Sequence, residues 1–245
     1  MSAPGRGFVV ELVGLAGSGK STLSHAAARC LRAAGAQVSE PSFDLAHGSS
    51  AAGRIARKLG YAGRDALRRP RAAAAAARAA LATRQASASD ALSAVFNLAY
   101  VRGLLDALVR RPGIHLLDQG FYGALWSVAF RAAAPGDATR LARRLAGGLG
   151  CRPADLVVFV EIAPETARAR ARARGPEAGR SRLEREGGSD ALDRARQALG
   201  AVREAARGAR VASLSNEGPD PAAAAATLAE LVAEALPSPT GAGER

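Results

Sequence analysis

Eight consecutive residues, Gly14-Leu15-Ala16-Gly17-Ser18-Gly19-Lys20-Ser21, satisfy the pattern G-x-x-x-x-G-K-[ST] at every fixed position, and Thr22 follows. Each residue type has a separable physical purpose. Glycines let a backbone wrap so tightly that its N–H groups point at phosphate oxygens. A helix beginning at the same place adds the positive end of its dipole. Lys20 offers a compact ammonium to the β- and γ-phosphates, and Ser21 offers a hydroxyl to Mg²⁺. The pattern therefore predicts binding of a nucleoside triphosphate with Mg²⁺ through Gly14, Gly17, Ser18, Gly19, Lys20, Ser21 and Thr22. Only two of the 34 basic residues are lysines, Lys20 and Lys58. One of them stands where an arginine fork could not replace it.

Two further features bear on phosphate chemistry. Asp118 closes the apolar run Ile114-His115-Leu116-Leu117, placing a carboxylate where ligands bind in open α/β sheets. It is a candidate Mg²⁺ ligand, with a surface aspartate starting a turn as the other reading. Arg168, Arg170, Arg172 and Arg174 alternate with alanine, and Arg180, Arg182 and Arg185 follow in a glycine-bearing stretch. Like charges so close repel unless an anion lies between them, so a lid closing over phosphates competes with a solvated basic face. Tyr122, Trp126 and Phe130 fall at i, i+4, i+8 and could line a pocket or pack on the sheet.

Segments that alternate in type must position these residues. Phe8–Val13 reads as a buried strand before the glycine-rich turn, and the spacing of Leu23, Ala27, Cys30, Leu31 and Ala34 predicts a helix after it. Strands are also expected at 36–39, 114–117, 156–162 and 211–214. Helices are expected at 54–69, 72–84, 87–111, 122–131, 138–146, from Pro164 to 174, at 190–207 and at 221–236, with a loop over 42–53. In the 87–111 helix, Leu92, Val95, Phe96, Ala99, Leu104, Leu105 and Leu108 supply the buried face. Strands alternating with helices predict an α/β fold: a three-layer P-loop NTPase architecture, with a five-stranded parallel sheet flanked by helices and an arginine-rich lid. A single domain over 1–236 is expected, with the lid near 168–189 and a disordered tail at 237–245.

Composition narrows the setting. Of the 245 residues, 48% are hydrophobic and 23% charged, ordinary for a globular protein. The formal net charge of +12 favours anionic partners. Its arginine and alanine excess also carries the mark of coding bias. Cys30 and Cys151 lack metal-binding spacing and read as reduced thiols. The N-terminal apolar run is broken by Glu11, and no charge-free stretch approaches twenty residues. A cytoplasmic protein that does not span a membrane is expected.

With strand, P-loop, Asp118 turn and arginine stretch in this order, the chain resembles the nucleoside monophosphate kinases, with thymidylate kinase the nearest member. The likeness rests on GSGKST at 17–22, Glu40-Pro41, the Asp118 turn, the segment LVVFVEIAPETARARARAR and Arg182-Leu183-Glu184. The resemblance implies ATP and Mg²⁺, transfer of the γ-phosphoryl group to a small-molecule acceptor, and a possible homodimer. It also implies lid arginines, Arg172 and Arg182 among them, acting with Lys20. The departures fall on the acceptor side, at Ala16, Ser39, Phe96-Asn97 and Gln119, where thymidylate kinases carry charged groups. Glu40-Pro41 also resembles deoxynucleoside kinases, which implies Glu40, or Asp44, as general base toward a hydroxyl.

Two other readings stand beside the kinase. One is a P-loop ATPase switch acting with a protein partner. The other, less favoured, is a nucleic-acid-end kinase using the basic stretch 54–71. A guanine reader of the Asn-Lys-x-Asp type is excluded, because only Lys20 and Lys58 are available.

Overall fold

The computed structural model describes residues 6–48, 50–132, 140, 143, 154–173, 189–218 and 220–237. Five strands form one all-parallel sheet: β1 (Gly7–Val13), β2 (Val38–Ser39), β3 (Gly113–Leu117), β4 (Leu156–Glu161) and β5 (Val211–Ser215), in the order β2-β3-β1-β4-β5. β1 is central and buried along its whole length, which accounts for its near-continuous apolar run. Its alternating side chains divide between two cores.

Phe8, Val10 and Leu12 pack against α1 (Lys20–Ala33) and the C-terminal helix over Pro221–Ala235. Val9 and Val13 face the other way, toward α5 (Ala88–Leu108) and α6 (Phe121–Arg131). The sheet is thus covered by helices on both faces, as the alternating pattern predicts.

Between β2 and α5 lie α2 (Pro41–His47), α3 (Ala51–Arg68) and α4 (Pro70–Leu81). The expected loop over 42–53 is mostly helix. Pro41 has no N–H to lose at a first turn, and Ser50 caps α3 by accepting from the Gly53 N–H at 3.2 Å. Proline likewise opens α4, two residues before the alanine run suggests. Later in the chain come α7 (Pro164–Ala173), α8 (Ser189–Ala205) and α9 (Pro221–Ala235). Cys30 is a free thiol. Cys151, the tail beyond 237 and all but residues 140 and 143 of the expected 138–146 helix lie outside the described residues.

α5 departs from the expected single apolar face. Leu92 is exposed, whereas Leu98, Tyr100, Val101, Arg102, Gly103 and Leu104 are all buried. The helix is wrapped by α3, α4, α6 and β1, so its sides are covered rather than one stripe. It is also the one helix among the described residues long and apolar enough to cross a membrane. Within it, however, Arg102 is buried and ion-paired, its Nε donating to Asp65 Oδ2 of α3 at 3.1 Å. Gly103 lets α3 approach closely, since an added Cβ would stand 2.1 Å from the Tyr61 carbonyl oxygen. Ion pair and glycine together fix α3 across α5.

Candidate functional site

α1 leaves the carboxyl end of β1 toward one face of the sheet, while α6 leaves β3 toward the other. Neighbouring parallel strands whose helices diverge in this way open a crevice between their carboxyl ends. The loop 14–19 and the turn 118–120 border that crevice.

Gly17 and Gly19 adopt left-handed conformations at φ +86° and +84°. Gly14 is required for another reason: an added Cβ would lie 2.6 Å from the Val160 carbonyl oxygen of β4. Ser18 is buried, and its carbonyl accepts from Asn216 Nδ2 at 2.8 Å. Asn216 in turn donates its own N–H to the Glu161 carbonyl at 2.9 Å. The loop is therefore braced from the carboxyl ends of both β4 and β5. Asn216 was not among the residues expected from sequence, although its position just past β5 placed it on the ligand-binding edge.

Lys20, the first residue of α1, curls back into the loop. Its ammonium donates to the carbonyls of Gly14 and Leu15 at 2.9 and 2.8 Å. On the next residue, Ser21 Oγ donates to Asp118 Oδ2 at 2.5 Å. Asp118 Oδ1 is buried and has no hydrogen-bond partner among the described residues. Thr22 is exposed beside this pair.

A cavity of about 480 Å³ borders the loop, lined by Gly14, Ala16, Lys20 and Asp118 among others. α3, α5 and α6 also line it, with Arg54, Lys58, Asn97, Tyr100, Trp126 and Arg131. Trp126 alone of the three spaced aromatics lines the cavity; its indole N–H donates to the Ala195 carbonyl at 3.1 Å and its ring stacks on Phe130. Tyr122 and Phe130 are buried in the apolar clusters of the fold.

Glu40 lies elsewhere. It is buried, with Oε1 3.3 Å from His25 Nδ1 and Oε2 3.0 Å from an Arg32 guanidinium nitrogen, both on α1. It does not line the cavity, and neither does the exposed Asp44. Ser39, which stands where the resembled family has an arginine, spends its hydroxyl on His115 Nδ1 at 2.7 Å.

Of the arginine stretch, Arg170 donates to the carbonyls of Asn216 and Gly218 at 2.9 and 2.8 Å, tying α7 to the turn after β5. Arg172 belongs to α7, but its side chain lies outside the described residues. Arg182 and the rest of 174–188 also lie outside them.

One buried carboxylate shows in the sequence only as a break in the first apolar run. Glu11, fully buried in β1, accepts from the Gly123 N–H of α6 at 2.7 Å through Oε1, while Oε2 has no partner among the described residues. Burial pushes its carboxyl up to about 7, against the opposing pull of the backbone N–H groups at the start of α6. Gly120 gives it room, since an added Cβ there would stand 2.5 Å from Oε2.

Comparison with protein-family models finds no match, and comparison with curated proteins finds no significant relative.

Proposed function

We propose that the chain is an ATP- and Mg²⁺-dependent phosphotransferase on a P-loop NTPase fold, similar to the thymidylate and nucleotide kinases. In this reading it passes the γ-phosphoryl group to a small-molecule acceptor. One observation carries the reading: Lys20 and the Ser21–Asp118 pair meet at the mouth of the crevice between β1 and β3, facing a cavity large enough for a second substrate.

Lys20 exchanges its two loop carbonyls for the β- and γ-phosphate oxygens, and the N–H groups of the 14–19 loop take the phosphates between them. Among the described residues no three acidic, histidine or cysteine side chains converge on one point. That suits Mg²⁺, which takes one or two protein ligands plus phosphate and water. Ser21 Oγ and Asp118 would hold it, and the unpartnered Asp118 Oδ1 fits a cation or its water shell. Bound there, Mg²⁺ would neutralise charge on the phosphate oxygens.

Transfer through a loose transition state depends on position and charge more than on a strong base. Glu40, occupied by His25 and Arg32, serves in this reading as the anchor between β2 and α1. Among the described residues Asp118 is the only carboxylate lining the cavity, and it is the candidate to receive the acceptor proton. Arginines of the 168–189 segment, Arg172 and Arg182 among them, would complete the charge balance as a lid.

The test measures ADP release with ATP and Mg²⁺ against nucleosides, nucleoside monophosphates and simple alcohols, with Lys20→Ala as control. Release that requires one acceptor and Lys20 supports the kinase. Release indifferent to every acceptor, but stimulated by a protein partner, replaces it with the ATPase switch.

A further inference from the structure

Glu11 is wholly buried in the central strand, and among the described residues no cation pairs with it. A lone carboxylate in such a place is costly, and an apolar side chain would fill the same space without a charge to desolvate. A charge kept there serves something other than packing.

On β1 Glu11 shares a face with Val9 and Val13, the face turned toward α6. Its Oε1 accepts from the Gly123 N–H at 2.7 Å, and the N–H groups of Gly120, Phe121 and Tyr122 also favour its charged form. α6 has no side-chain cap of its own. Gly120 stands at the N-cap position, where serine or aspartate would cap the helix locally, but a Cβ there would lie 2.5 Å from Glu11 Oε2. The cap comes from β1 instead. The start of α6 is thereby fastened to the strand that leads into the glycine-rich loop.

The same residue fixes the other end of the turn. In the parallel ladder Glu11 is the partner of Leu117, the last residue of β3. Leu117 enters the turn and Gly120 leaves it, with Asp118 and Gln119 between them. The backbone of Glu11 thus sets where the turn begins, and its side chain sets where the turn ends. Gly14, three residues further along the chain, opens the loop, and Ser21 beyond it meets Asp118 Oδ2 at 2.5 Å. Glu11 therefore stands at the junction of the two segments that bring Ser21 and Asp118 together.

We infer that Glu11 is a positioning residue: its buried carboxylate clamps the 118–120 turn to β1 and holds Asp118 where it and Ser21 can share Mg²⁺. This rests on the part of the phosphotransferase reading that gives Asp118 to the metal. Glu11 does not line the cavity and acts through the turn alone. Groups that orient a metal ligand in this indirect way are typically worth about 10–100-fold in metal affinity.

The test reads binding rather than turnover. The affinity for ADP is measured by calorimetry with Mg²⁺ and with EDTA, in wild type, Glu11→Leu, Glu11→Gln and Asp118→Ala, with circular dichroism as a check on folding. Mg²⁺ is expected to tighten ADP binding in wild type. In Glu11→Leu, as in Asp118→Ala, that enhancement should shrink by about tenfold or more, while the affinity in EDTA stays within about twofold. Glu11→Gln keeps an acceptor for the Gly123 N–H and should lie between wild type and Glu11→Leu; it carries the test if leucine prevents folding. An enhancement as large in both Glu11 variants as in wild type overturns the inference, and so does an equal loss with and without Mg²⁺, which would mark general damage to the loop. No enhancement in wild type removes the metal from Asp118 and the inference with it. An enhancement that depends on Glu11, with no ADP release stimulated by any acceptor, keeps the clamp and removes the kinase reading instead.

Discussion

Replacing Glu11 by glutamine should change how stability depends on pH more than it changes stability at any single pH. The carboxyl is fully buried in β1, and its folded value of about 7 stands above the ordinary 4.5. A carboxyl raised on folding contributes its full stability below the lower value and loses it as pH rises through the higher one. The gap corresponds to about 3 kcal/mol, lost between pH 4.5 and 7. Glutamine keeps an acceptor for the Gly123 N–H and carries no charge to desolvate. It places an amide donor where Oε2 has no partner, a cost that does not vary with pH and so leaves the slope alone. The stability of the variant relative to wild type should therefore improve by about 3 kcal/mol between pH 4 and pH 8. Urea unfolding of both proteins at half-unit steps across that range gives the difference, with the titrations common to both chains cancelling. Parallel curves would refute the reasoning, because they would mean that Glu11 titrates alike in the folded and unfolded chain.

Three other outcomes follow from the geometry. Asn216→Ala removes the donor to the buried Ser18 carbonyl, and should cost about 1–3 kcal/mol in urea unfolding and raise the KM for ATP at unchanged acceptor KM. Asp65→Ala leaves Arg102 buried without its partner, and should cost about 3–5 kcal/mol by thermal or urea denaturation. Glu40→Gln keeps the size of the side chain but loses the charge facing Arg32 and His25; it should lower thermal stability while leaving acceptor-dependent turnover of the folded enzyme within a few-fold of wild type. A drop of several hundred-fold at full folding would restore Glu40 as the base.

The parts of this protein legible in its sequence are those encoded locally. Strand, glycine loop and helix over 7–33 are specified by a contiguous pattern in which each residue type has one physical use. The β4 run and the proline-led helices at Pro164 and Pro221 are likewise specified by their own residues. What escaped was set by contacts between distant segments. The exposure of Leu92 depends on how α3 and α4 wrap α5, and no periodicity within α5 reports that. Residues 42–47 became helical because Pro41 and the Gly48 end fit a short turn, where glycine and serines read singly as loop. Asn216 acts on a loop nearly two hundred residues earlier, and Glu40 is held by α1 rather than by anything near it in sequence. The scarcity of lysine was visible from the start. That Lys58 lines the same cavity as Lys20 appeared only when α3 placed it there.

The central claim is best tested by following the γ-phosphoryl group itself. Wild type and Lys20→Ala are incubated with γ-labelled ATP and Mg²⁺ in the presence of a panel of anionic and neutral small molecules, and the label is located after separation. The account predicts label on one small-molecule acceptor in wild type only, with little released as free phosphate. Label appearing only as free phosphate, at one rate whatever small molecule is added, would contradict it.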